Sequence, residues 1–173
     1  DGGGYPRILD EGLPVALKTS AEALAIVLDA DLDLAARWQA VSDRLQNHGY
    51  AVPATPSGDG LVLTDRHPVV GVWLMPDNIL PGMLEDFAAN LVGDDPLWPR
   101  ATDAVRSIPD ELRRFPRGAA RKAEIHTWLA WQEEPGTPLG LAVTKRYFQT
   151  DTELCRRFTN WLRRLIELSE DSS

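Results

Sequence analysis

The residues Leu24-Ala25-Ile26-Val27-Leu28-Asp29-Ala30-Asp31-Leu32-Asp33 constrain this chain more than any other stretch. An uninterrupted apolar run ends in three aspartates at alternate positions, and a helical pattern follows. A short apolar run between helical patterns predicts a strand buried on both faces of a parallel sheet. Open α/β sheets gather ligands at the carboxyl ends of such strands. Carboxylates crowded there repel one another unless a cation or a proton offsets the charge. Two readings stay open: Asp29 and Asp31 form the floor of a metal site, or one aspartate caps the next helix and the others face water.

The rest of the pattern is consistent with an α/β order. Residues 1–12 are Gly-rich and then mildly apolar, which predicts a loop or turn, and 13–22 predict a short helix. Over 32–49 the residues Leu34, Ala35, Trp38, Val41 and Leu45 recur at helical spacing. Asp31 or Asp33 is the expected N-cap and His48-Gly49 the expected stop. Short strands are predicted at 50–53 and 61–64. The nearly all-apolar Val69–Met75 is predicted to lie centrally in the sheet, forming a hairpin with 61–64. Helices are then expected over 83–92, from Pro96 to about Ile108, over 119–133, 139–145 and 152–168.

At 173 residues the chain is expected to form a single domain, sheet-bearing over 1–92 and mainly helical over 93–173. Its net charge of −8 argues against a broad phosphate-neutralising face. A local basic rim of Arg113, Arg114, Arg117, Arg121 and Lys122 is left to face nucleic acid or to pair with the acidic excess. Cys155 is the only cysteine, so neither an internal disulfide nor a Cys-based zinc site is expected. No apolar run is long enough for a membrane span and no signal peptide is visible, so the expected setting is cytoplasmic, without a membrane partner.

Three groups of residues are candidates for chemistry. Asp29 and Asp31, with Asp33 nearby, suit Mg²⁺ or Mn²⁺, hard cations that take carboxylate oxygens and keep several waters. Glu85, beside Asp86, opens a helix after the central strand; there it either answers the helix dipole or joins the two aspartates around a metal. Lys122 and His126 lie four apart, on one helix face. Lys122 is the candidate to stabilise a phosphate in a transition state, and the plainer reading is a solvated face. The three histidines show no ligand spacing, and the tryptophans at 73, 98, 128, 131 and 161 read as core.

The strings Ile26-Val27-Leu28-Asp29-Ala30-Asp31, Gly71-Val72-Trp73-Leu74-Met75-Pro76-Asp77-Asn78, Gly82-Met83-Leu84-Glu85-Asp86-Phe87 and Lys122 through Gln132 resemble an uncharacterised bacterial family, DUF3226. That family looks related to the Toprim fold of topoisomerases, primases and overcoming-lysogenization-defect nucleases. The resemblance implies an α/β domain, with a Toprim-like, mostly parallel central sheet flanked by helices and a helical C-terminal region. It also implies Mg²⁺ held by Asp29 and Asp31, which match an Asp-x-Asp motif. Glu85 is similar in placement to a later acidic residue, and Lys122 matches a lysine by order along the chain. The first-strand glutamate of Toprim domains has no counterpart: Glu11 lies 18 positions before Asp29, too few for a parallel crossover. The expectation is that the glutamate-bearing first strand lies upstream of Asp1.

The functional expectation is Mg²⁺-dependent phosphodiester cleavage, nuclease-like and directed at foreign nucleic acid. Asp29, Asp31 and Glu85 would be metal ligands, and Lys122 and Glu85 the catalytic pair. Nucleic acid would be met at the basic rim, with a second copy or a partner subunit completing the assembly. The alternative is a non-catalytic nucleotide-binding or protein-interaction module that retains the fold.

Overall fold

The computed structural model describes residues 4–19 and 21–171. The chain divides into two compact units: residues 1–84 with 153–173, and residues 85–152.

The first unit is built on a three-stranded sheet. Its strands are β1 (Ala23–Asp29), β2 (Leu61–Leu63) and β3 (Val69–Met75), in the spatial order β1-β3-β2. β1 pairs with β3 in parallel, from Ala23↔Val69 to Asp29↔Met75, and β2 pairs with β3 antiparallel. The sheet is therefore mixed, not mostly parallel, because the 61–75 segment closes as a hairpin rather than crossing over. β3 is central and buried along its whole length, as its apolar run requires. β1 is an edge strand in which Ile26 and Leu28 are buried while Ala25 and Val27 are exposed. The prediction of burial on both faces fails there, because an apolar run records little about which side of a strand a neighbour occupies.

One face of the sheet presents Ile26, Leu28, Val70, Val72 and Leu74 to Trp38, Val41 and Leu45 of α3 (Leu34–Asn47) and to Leu9 and Leu13. Asp33 caps α3, its Oδ1 accepting the Ala36 N–H at 2.9 Å. Gly49, at φ +86°, takes the left-handed turn that stops it. Tyr50 to Pro53 form no strand; Tyr50 is buried, and its hydroxyl donates to the Pro68 carbonyl at 2.8 Å. Of the segment 1–12 expected as a loop, residues 1–3 lie outside the described residues and the rest is helical: α1 (Gly4–Arg7), a π-helical turn (Ile8–Gly12) and α2 (Leu13–Ala16) follow one another without a break. Leu9 and Leu13 are the cause, since burying both requires a helical spacing.

The sheet's other face is covered by the last helix, α8 (Glu153–Glu170). Trp161 and Leu165 pack there, and a Cβ on Gly71 would sit 2.7 Å from Leu165 Cδ2, so only glycine permits this approach. Trp73 meets Phe158 edge-on at 5.2 Å and Trp161 at 5.6 Å. Arg164 donates to the carbonyls of Asp59 and Gly60, Arg157 to those of Gly58 and Asp77, and the Trp161 indole to that of Leu61. These bonds tie α8 to the turn before β2 and to the end of β3.

The second unit is helical. It holds α4 (Leu84–Asn90, whose first residue belongs to the first unit), α5 (Leu97–Arg106), a 3₁₀ turn (Arg117–Ala119), α6 (Ala120–Ala130) and α7 (Leu139–Thr144). Its core includes Phe87, Leu91, Val105, Ile125, Trp128, Leu129 and Phe148, with the rings of Trp128 and Phe148 5.2 Å apart. On α6, Ile125, Trp128 and Leu129 are buried, while Trp131, expected in the core, is 43% exposed.

Candidate functional site

The acidic end of β1 was the leading candidate, and its geometry follows from the turn that ends the strand. Asp31 adopts φ +54°, a left-handed conformation that aspartate tolerates better than most side chains. The chain thereby turns from the strand into the approach to α3. The Asp31 N–H donates to the Gly82 carbonyl at 2.8 Å, forming an isolated antiparallel bridge.

Each carboxylate has an internal role. Asp29 Oδ1 accepts the Leu84 N–H at 2.8 Å and so anchors the start of α4. Asp31 Oδ2 accepts from Arg37 Nη2, and the Arg37 side chain is only 6% exposed against 51% for Asp31. Asp33 is spent on the cap of α3. The plainer reading, in which an aspartate caps the next helix, is thus met by Asp33, while Asp31 serves as counter-ion to a buried guanidinium.

Arg37 is the residue that sequence reasoning missed. It stands between the apolar positions of the 32–49 stripe. Yet Leu34, Arg37 and Val41 follow the three-and-four spacing of a single helix stripe, the signal that would have placed Arg37 inward. Burying a guanidinium is costly without a partner, and the Asp31 carboxylate supplies one.

In the second unit Glu85 and Lys122 do come together, with Lys122 Nζ 3.4 Å from Glu85 Oε1. Lys122 is 59% exposed and Glu85 only 12%. Beside them lies an unforeseen ionic network. Buried Glu124 accepts from Arg106 at 3.2 Å and from Arg121 at 2.7 Å, and Arg121 also donates to Asp86 at 3.0 Å. The Arg121 guanidinium lies 5.8 Å from the ring centroid of Trp98, within cation–π range. Arg113 and Arg117 both converge on Asp110. The hydrogen bond and charge of Arg117, with the charge of Arg113, hold the Asp110 carboxyl below its ordinary value. Three arginines of the basic cluster are thus balanced by carboxylates within the unit.

Asp29 and Asp31 belong to the first unit and Glu85 opens the second. Among the described residues, no group of three or more His, Cys, Asp or Glu side chains is arranged to hold a metal ion. Asp31 Oδ2 pairs with Arg37, Asp29 Oδ1 accepts a backbone amide, and Glu85 Oε1 pairs with Lys122. Nor, among the described residues, is any helix long and apolar enough to cross a membrane.

No curated protein and no solved structure matches the sequence. The likeness carried by the Trp-Leu-Met-Pro-Asp-Asn string holds at the level of the family: the match runs over residues 1–167, and the chain belongs to DUF3226, a family described as a protein of unknown function.

Proposed function

We propose that this chain is a non-catalytic binding module that works through protein contact. One observation carries the reading: the Asp31 carboxylate, central to the metal hypothesis, is the counter-ion of buried Arg37. Charge that neutralises a buried guanidinium is less available to a metal, and withdrawing it from Arg37 would be costly. An interaction role draws support from uncovered apolar side chains in the first unit, with Val15 66%, Ile8 52% and Val27 40% exposed. Neighbouring exposed apolar groups of this kind mark contact surfaces.

A second reading keeps Mg²⁺- or Mn²⁺-dependent phosphodiester cleavage, with Asp29, Asp31 and Glu85 as ligands and Lys122 at the phosphate. Its support is that Asp29 and Asp31 lie at the carboxyl end of a strand in a parallel pair, the place where such sheets bind ligands. Toprim kinship would rest on the same feature.

Calorimetric titration with MgCl₂ and MnCl₂, alongside cleavage assays on single- and double-stranded DNA and RNA, separates the two. The binding-module reading expects no saturable metal binding and no cleavage, in the wild type and in Asp31→Ala alike. Saturable binding or cleavage that disappears in Asp31→Ala would overturn it.

A further inference from the structure

We propose that Arg113 and Arg117 form a binding site for a phosphate monoester, and that Asp110 occupies it as an internal stand-in for that ligand. The site lies in the second unit and goes beyond the protein-contact reading, because it does not depend on the part played by Asp31.

The local fold makes the convergence. Between α5 and α6 the chain turns at two prolines. The Leu112 and Arg113 N–H groups donate to the Pro109 carbonyl at 3.0 and 3.1 Å, and the Ala119 N–H donates to the Pro116 carbonyl at 2.9 Å. Arg113 Nη1 then lies 2.5 Å from Asp110 Oδ1, and Arg117 Nη2 lies 2.6 Å from Asp110 Oδ2. Two guanidiniums thus grip the two oxygens of one group, the arrangement in which arginine recognises carboxylate and phosphate.

The partners differ in how firmly they are held. The Arg113 side chain is only 19% exposed. Its Nη2 donates to the Ile108 carbonyl at 3.3 Å, and its guanidinium lies 5.9 Å from the Phe115 ring centroid. Neither contact involves Asp110, so Arg113 keeps its place when the carboxylate leaves. Asp110 is 62% exposed and regains water by rotating its side chain away. The receptor is preorganised and its present occupant is replaceable.

Charge selects the ligand. Asp110 offsets one of two positive charges. Over residues 110–117 three arginines stand against two carboxylates, in a chain whose net charge is −8. A phosphate monoester carries close to two negative charges at neutral pH and offers three strong acceptor oxygens, so it answers both guanidiniums at once. A free carboxylate gains nothing over the tethered one, whose effective concentration is on the order of millimolar or above. The donors meet at one point, which suits a terminal group; a polynucleotide is met by many cations spread along its phosphates.

The probe is methyl phosphate, titrated into the full chain while the backbone amide signals of residues 110–117 are followed by NMR. Saturable shifts are expected in the wild type. Asp110→Asn, which removes the internal competitor, should tighten binding about tenfold or more. Asp43→Asn removes the same charge from the first unit and should bind as the wild type does. Arg117→Ala should abolish the saturable shifts. Dimethyl phosphate, a monoanion, should bind about tenfold or more weakly than methyl phosphate. N-acetyl-phosphoserine amide and glucose 6-phosphate distinguish the sources of the group: tighter binding of the first assigns the site to a phosphorylated side chain, of the second to a small phosphorylated metabolite, and either supports it. No saturable shift in the wild type and Asp110→Asn, an equal gain in Asp43→Asn, or undiminished binding in Arg117→Ala overturns the proposal. So does dimethyl phosphate binding as tightly as methyl phosphate, a comparison that the wild type alone decides even if a variant does not fold. Metal binding lost in Asp31→Ala would remove the non-catalytic reading and leave the phosphate result standing, so the two failures are distinguishable.

Discussion

β1 and β3 are equally long, apolar but for Asp29 at the end of β1, and hydrogen-bonded in register, yet they live in different surroundings. All seven residues of β3 are buried, whereas β1 buries Ile26 and Leu28 and exposes Ala25 and Val27. The cause is position. β3 has a strand on either side, α3 on one face and α8 on the other, while among the described residues β1 pairs with a strand on one side alone. Composition identified both as strands and was silent on which was the edge.

Substitution can break or sharpen that contrast. The largest effect belongs to a charge. Val72→Asp puts a carboxylate among fully buried neighbours and should unfold the first unit, costing several kcal/mol. Val27→Asp, on exposed β1, should cost no more than about 1 kcal/mol, and chemical denaturation measures both. Similar losses at the two sites would show that β1 is covered after all.

A smaller effect is expected at the register pair Ala25↔Gly71. Gly71→Ala drives a methyl group to within 2.7 Å of Leu165 and 3.0 Å of Trp161, which should cost about 1–3 kcal/mol by overpacking. Ala25→Val, directly across on β1, should be neutral within about 0.5 kcal/mol, since the exposed edge has room for it. Thermal melts monitored by tryptophan fluorescence read the difference.

The smallest effect is a control in the second unit, remote from either strand. Asp110 titrates below its ordinary value because Arg117 and Arg113 hold its charged form. A carboxyl depressed on folding contributes stability above its unfolded value, near 3.9, and loses it as pH falls through the lower folded value. Asp110→Asn should therefore lower stability slightly at neutral pH, the pair being exposed, and flatten the acid limb below about pH 4, where the variant and the wild type converge. An unchanged acid limb would mean that the arginines do not hold this carboxylate in solution.

How far the sequence can be read also divides along these lines. Helix positions from α3 onward were legible because their apolar stripes repeat at helical spacing and their ends carry Asp33, Gly49 and Pro96. The hairpin was legible from the turn between two apolar runs. The helical start of the chain was not, since its glycines mask the pair Leu9 and Leu13, whose value depends on a sheet elsewhere. At the acidic strand end the aspartates were legible, but the pairing of Asp31 with Arg37 was not. Nothing in the letter of an aspartate records a buried arginine beside it; only the inward position of Arg37 does. Glu85 and Lys122 were expected to act together, and they do meet, as an ion pair.

The cover of the sheet by α8 has a consequence for the order of synthesis. β3 is complete once residue 75 has been made, but the helix that shields Trp73 and fills the space beside Gly71 begins only at Glu153. While the intervening helical unit is being translated, one face of the sheet has no cover. Contacts between β3 and α8 span about half of the chain, and closure over such separations is slow. A nascent chain halted before residue 153 would thus hold an apolar sheet surface open to chaperones or to aggregation. The first unit reaches its folded form only when the C-terminal helix has emerged.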